Sequence, residues 1–179
     1  MDFDSCFLLV VGHEGGYTND RNDRGNWTGG AVGSGDLKGT HWGISAASYP
    51  AIDIEGLTLA GAKALYWRDY WLPLSLEQLP EWLRYYLFDY AVNSGVGAAA
   101  EALQSAVGAL RDGVIGPKTI IAAKAAPPVS VFRLLFVERA LTYALDRNDR
   151  LYGRGWFARL FDATIRTHLD LNPMLGGRS

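Results

Sequence analysis

The sequence is short of several things, and each shortage excludes a class of protein. It has one cysteine, Cys6, so no internal disulfide can form, and no cysteine–histidine cluster is set out for structural zinc. Its three histidines, His13, His41 and His168, are scattered and do not make a metal site; we expect no metal and no cofactor. Charge of one sign is also missing. The formal net charge is −2, from 17 basic and 19 acidic residues, whereas a binder of nucleic acid or of anionic membrane carries a basic excess. No long hydrophobic run is present. The apolar stretch from Phe7 ends at Val11, far short of the roughly 20 residues that cross a bilayer, so stable membrane insertion is not expected. Asp2 and Asp4 precede that stretch where a secretory signal carries positive charge.

What is present is a chain of 179 residues, 49% hydrophobic, with 21 glycines, 6 tryptophans, 9 tyrosines and 7 phenylalanines. That length and apolar fraction suit one folded unit with a real core. Helical periodicity dominates. Phe3, Phe7, Val10, Val11 and Glu14 keep a helical stripe that stops at Gly15-Gly16. Residues 15–43 have no such stripe; their Gly, Asn, Asp and Thr content predicts loops and one or two short hairpins. Helices are then expected over Thr58 to Trp71, Pro80 to Val92, Ala98 to Leu110, Pro117 to Pro127, a long stretch through Phe132 and Tyr143, and Trp156 to Leu169, with Pro173 ending the last and Leu175 to Ser179 as a frayed tail. The fold class is mainly α, with a small glycine-rich lobe near the N-terminus. Trp67, Trp71 and Trp82 read as packing residues.

The chemistry gathers after the first helix. Glu14 has an apolar helix behind it and two glycines in front, an environment that raises a carboxyl pKa and makes a proton donor. Nine residues on, Asp23 lies in the polar run from Asn19 to Gly25, where a carboxylate stays ionised. Glycosidic hydrolysis needs such a pair: a protonated acid at the leaving oxygen and a carboxylate that activates water or stabilises positive charge. Taken alone, the same spacing also describes a surface glutamate at a helix end followed by an Asx-rich turn. Thr28 and Thr40 each carry a hydroxyl suited to holding a water beside the pair, and each also reads as an ordinary strand or turn residue.

The run Glu14-Gly15-Gly16-Tyr17-Thr18-Asn19-Asp20, then Asp23, then Gly39-Thr40-His41-Trp42-Gly43-Ile44-Ser45, resembles the N-acetylmuramidases of glycoside hydrolase family 108. The resemblance implies a lysozyme-like helical fold with a small β-hairpin lobe. It also implies cleavage of the β-1,4 bond between N-acetylmuramic acid and N-acetylglucosamine in peptidoglycan. It places Glu14 at the general acid, Asp23 at the second carboxylate and Thr40 at the threonine before the Gly-Ile pair. The chain departs from the family pattern at Arg21 and Arg24, where prolines are usual, at Asn26, which replaces a turn glycine, and in a segment of about twelve residues, Trp27 to Lys38, before Thr40. Because of that segment, Thr28 also falls at a lysozyme-like distance from Asp23, and Thr40 is favoured on its Gly43-Ile44 context.

In the second half, Asp89 to Gly95 and Asp112-Gly113-Val114-Ile115-Gly116-Pro117 resemble the predicted peptidoglycan-binding region that accompanies this family. The expected organisation is a catalytic lobe over 1–80 and a helical lobe over 81–179, packed as one unit. Asn93, followed two residues on by glycine, reads as a helix C-cap or as an amide that meets an N-acetyl group. Tyr17, Trp27, Trp42, Tyr86 and Tyr90 are the aromatics near these segments, and aromatic faces stack on sugar rings. Tyr17, Thr28, Trp42, Tyr90 and Asn93 are thus the expected substrate contacts. The partners expected are peptidoglycan glycan strands, met by a monomer made in the cytoplasm and acting in the periplasm after passage through a holin or another export route. A lytic transglycosylase acting on the same bond, and a non-catalytic wall-binding module, are the alternative readings.

Overall fold

The structure is a computed structural model that describes the backbone of residues 1–11, 16–145 and 149–175 and the side chains of 1–11, 16–145 and 154–167. Its regular elements are α1 (Phe3–Val11), β1 (Thr40–His41), β2 (Ile44–Ser45), α2 (Leu59–Tyr66), α3 (Glu81–Ser94), α4 (Val96–Val107), α5 (Pro117–Ala125), α6 (Pro128–Leu145) and α7 (Asp149–Leu175). The mainly helical class with one small antiparallel hairpin holds. Element ends follow residue chemistry. Thr58 caps α2 by accepting a hydrogen bond from the Gly61 amide at 3.1 Å. Pro80 stands before α3, Gly95 closes that helix at φ 91°, and Pro117 opens α5. Where Trp156 to Leu169 was expected, α7 begins at Asp149 and runs through Pro173 to Leu175. A proline in the last turn forgoes one backbone bond and does not stop a helix that is already formed.

The chain divides into two compact units, Phe7–Arg68 and Met1–Cys6 with Asp69–Ser179. Residues 69–80, assigned from sequence to the first lobe, belong to the second. Trp71 shows why: it is fully buried and meets Phe3 and Phe88 edge-on, at ring separations of 5.2 and 5.5 Å. In the first unit, Phe7 meets Tyr66 edge-on at 5.4 Å, and the Lys63 ammonium lies over the Phe7 ring.

The second unit is built around α3. Its residues Trp82, Leu83 and Tyr85 to Ala91 are buried on every side, the mark of a helix wrapped by others. α4 and α7 pack on it, and α6 packs on both α4 and α7. Each large side chain buried there contributes roughly 1.5–3 kcal/mol. The turn after α4 is clamped by Gln104, 1% exposed. Its oxygen accepts from the Asp112 and Gly113 amides, and its amide donates to the Asp112 carboxylate at 2.6 Å and to the Val114 carbonyl. Those bonds hold the Asp112 carboxyl below its ordinary pKa. The Asp112 and Gly113 amides and one Asp112 carboxylate oxygen are thus engaged within the turn itself. Among the described residues no single helix is long and apolar enough to cross a membrane; α5 and α6 meet that test only together, and they are bent by 119°.

Candidate active site

Glu14 lies outside the described residues, so the site is built here from the segments that follow it. From Asp20 to Asn26 the chain turns because its acids bond neighbouring backbone. Asp20 accepts from the amide and side chain of Asn22. Asp23 caps a single 3-10 turn, Arg24–Asn26, by accepting from the Gly25 amide at 2.8 Å. Asp23 is exposed, as its polar surroundings predict, and its second oxygen has no partner among the described residues.

Residues 27–38 leave the site and return to it. A bridge pairs Trp27 with Leu37 at the base. Beyond it the Thr28 amide donates to the Asp36 carbonyl, and the Asp36 amide donates to the Thr28 hydroxyl at 2.8 Å. The Trp27 indole donates to the Arg21 carbonyl. The Thr28 hydroxyl is therefore part of the loop's own closure. Thr40 is placed differently. Its backbone exchanges two bonds with Thr18, at 2.8 and 2.9 Å, and its hydroxyl donates to the Asn26 side-chain oxygen at 2.7 Å. Asn26 is the last residue of the turn that Asp23 caps, so the excursion closes with Thr40 tied to the Asp23 turn. The Ala47 amide donates to the Gly25 carbonyl, fastening the far side of the hairpin to the same turn.

The hairpin itself is a two-residue loop, Trp42-Gly43, between β1 and β2, with His41 opposite Ile44 and Thr40 opposite Ser45. Both loop residues have positive φ, 53° and 74°, which is the I′ geometry that matches strand twist. A tryptophan in that region is strained, and three contacts hold it. Its indole donates to the Leu57 carbonyl at 3.1 Å, its ring stacks on His41 at 5.2 Å, and its carbonyl accepts from the Tyr66 hydroxyl. Tyr17 meets the same imidazole edge-on at 5.9 Å. A carbonyl can only accept, so the contact of His41 Nδ1 with the Ile54 carbonyl at 3.2 Å puts the proton on Nδ1. Tyr17, His41 and Trp42 are half-buried and form one aromatic row.

Tyr90 and Asn93 belong to the other unit. Tyr90 is 1% exposed; its hydroxyl pairs with that of Thr142 at 3.2 Å and its ring carries the Arg139 guanidinium. A ring so placed packs α3 against α6 and has no free face for a sugar. Tyr86, also buried, carries the same guanidinium. Asn93 is exposed in the last turn of α3, donates to the Asp89 carbonyl at 3.1 Å, and lines a cavity of about 300 Å³ with Ser94, Thr142, Tyr143 and Trp156. Gly95, not Asn93, is the cap. Two residues carried no weight in the sequence: Asn26, a single departure from a family pattern, and His41. Their roles are contacts across 14 and 13 residues, to Thr40 and Ile54, which no local pattern encodes. Among the described residues no cluster of His, Cys, Asp and Glu is set to hold a metal ion.

Residues 7–95 match the family model of Glycosyl hydrolase 108, and the chain belongs to that family. Solved structures match too. That of SagA from Brucella abortus aligns with a TM-score of 0.78 at 26% identity, over 93% of this chain and 94% of that one. No curated protein matches the sequence. The fold is lysozyme-like, and the protein is a glycoside hydrolase of the peptidoglycan-cleaving muramidase class.

Proposed function

We propose that Glu14 donates the proton to the glycosidic oxygen between N-acetylmuramic acid and N-acetylglucosamine. Asp23 stabilises the oxocarbenium-like charge or takes a proton from a water held at Thr40. The observation that carries this reading is the return of Thr40 to the Asp23 turn across the excursion 27–38. Thr28 lies inside that excursion, where its hydroxyl oxygen accepts from the Asp36 amide. The row of Tyr17, His41 and Trp42 supplies faces for sugar stacking, and Asn93, exposed beside its cavity, has an amide suited to an N-acetyl group. The second unit adds affinity for the wall. The chain acts as a monomer, made in the cytoplasm and reaching the periplasm through a pore or export route supplied by another protein.

The test is digestion of purified sacculi with product analysis by mass spectrometry. Glu14→Gln should lower turnover by about 10²–10⁴-fold, the scale of general acid catalysis, while circular dichroism and sacculus binding stay unchanged. Near wild-type turnover in that variant would sink the assignment. Products with a reducible muramic end reject the transglycosylase, whose product is a 1,6-anhydro sugar. Asp23→Ala separates the two further, because a one-acid transglycosylase retains activity without it.

A further inference from the structure

Asn26 is fully buried in a lobe made mostly of loops. Its backbone carbonyl accepts from the amides of Lys38 and Gly39, both at 3.0 Å, and so closes the excursion. Its side-chain amide donates from Nδ2 to the Asp20 carbonyl at 3.0 Å and accepts at Oδ1 from the Thr40 hydroxyl at 2.7 Å. The orientation of this amide is not free. A backbone carbonyl can only accept, so the nitrogen must face Asp20 and the oxygen must face Thr40. Thr40 then has to be the donor in the short bond between them.

We propose that Asn26 is a positioning residue for the hydrolytic step, acting through Thr40. This rests on the reading above that Thr40 holds the attacking water. A threonine hydroxyl has one proton and two lone pairs. With its proton committed to Asn26, Thr40 meets a water only as an acceptor. That water therefore donates one hydrogen to Thr40 and keeps a lone pair for the anomeric carbon, with its second hydrogen available to a carboxylate. A threonine released from Asn26 rotates its hydroxyl and donates to the water, occupying the lone pair that has to attack. Asn26 thus sets the direction of the hydrogen bond as well as the position of the oxygen.

The experiment is a double-mutant cycle on the full chain with Asn26→Leu and Thr40→Val, reading kcat and KM on soluble peptidoglycan at a temperature where every variant is folded. Thr40→Ser, which keeps the hydroxyl, is the conservative control. Asn26→Leu should lower kcat roughly tenfold, the order expected for one hydrogen bond acting in the transition state, and leave KM nearly unchanged. Adding Asn26→Leu to Thr40→Val should lower kcat no further, since the hydroxyl it orients is already gone. Thr40→Ser should retain most of the activity and remain sensitive to Asn26→Leu. A wild-type kcat in Asn26→Leu, or losses that multiply in the double variant, would overturn the proposal while leaving the muramidase reading intact. A wild-type kcat in Thr40→Val would remove Thr40 from the mechanism and the proposal with it. If Asn26→Leu does not fold, Asn26→Ala removes the same two side-chain bonds without added bulk and is judged by the same outcomes.

Discussion

The indole of Trp42 is held where a β-carbon is unwelcome, and the residue beside it shows how little room the turn leaves. A Cβ built on Gly43 would run into the Tyr66 hydroxyl, and the backbone there has φ 74°. Gly43→Ala therefore combines left-handed strain, about 1–2 kcal/mol, with a clash against the hydroxyl that fixes the Trp42 carbonyl. We expect it to lower the melting temperature and to weaken binding of peptidoglycan fragments, because the aromatic row Tyr17–His41–Trp42 is oriented by that turn. Thermal unfolding and fragment titration check the two effects. Gly39, at φ 84°, is closed in a similar way: a Cβ there meets the Tyr17 ring and the Thr18 carbonyl. Close approach of backbone to a tyrosine side chain is what these two glycines provide.

At the scale of elements, α3 buries a charge. Arg139 of α6 is fully buried. Its Nη2 meets the Asp89 carboxylate at 2.6 Å, its Nε donates to the Tyr143 hydroxyl at 2.7 Å, and its guanidinium lies over the rings of Tyr86, Tyr90 and Tyr143. Arg159 of α7 reaches the other Asp89 oxygen at 2.8 Å. One aspartate thus joins three helices. Arg139 Nη1 has no hydrogen-bond partner among the described residues, so the guanidinium depends on the Asp89 charge. Asp89→Ala should destabilise the protein by about 3–5 kcal/mol, since removing one partner strands a buried ion. Replacing Asp89 and Arg139 together by leucine and methionine should cost much less. Urea unfolding of these two variants beside the wild type measures the difference, and equal losses would show that packing rather than charge sets the energy.

For the molecule as a whole, the tyrosines around this pair set an alkaline limit. Burial pushes Tyr85 from its ordinary value of 10.0 up to about 12, with the Asp89 charge adding to the effect. Burial also raises Tyr86 and Tyr90, against the opposing charge of Arg139. Below pH 10 these phenols are protonated in folded and unfolded chains alike, and their contribution is constant. Above it the unfolded chain ionises first, so stability falls as pH rises from 10 through the folded values. Tyrosinate absorbance from these three residues should appear together with loss of helical circular dichroism. Ionisation before unfolding would mean that their rings are more open than the structure places them.

Most helices were legible because their signals are local: Thr58, Pro80 and Pro117 as starts, Gly95 as a stop. The exceptions have the same explanation in reverse. Residues 69–80 join the second unit because Trp71 packs on Phe3 and Phe88, rings distant from it in the chain. Tyr90 was expected against sugar and lies under Arg139 instead, because a helix that is aromatic all round does not announce which face is core. The sequence by itself determined the chemistry on offer: a glutamate before paired glycines, an aspartate in an Asx-rich turn, two threonines and a glycine-rich lobe with aromatics. Only the tertiary structure showed how differently the two threonines are held. Thr28 and Thr40 have the same hydroxyl; spacing from Asp23 suits Thr28, and the Gly43-Ile44 context favours Thr40. Burial of Asn26, with two amides drawn to its carbonyl and one hydroxyl to its side chain, folds twelve residues out of the way and returns Thr40 to Asp23. That arrangement is a matter of satisfying buried polar groups across the fold, which no window of sequence contains.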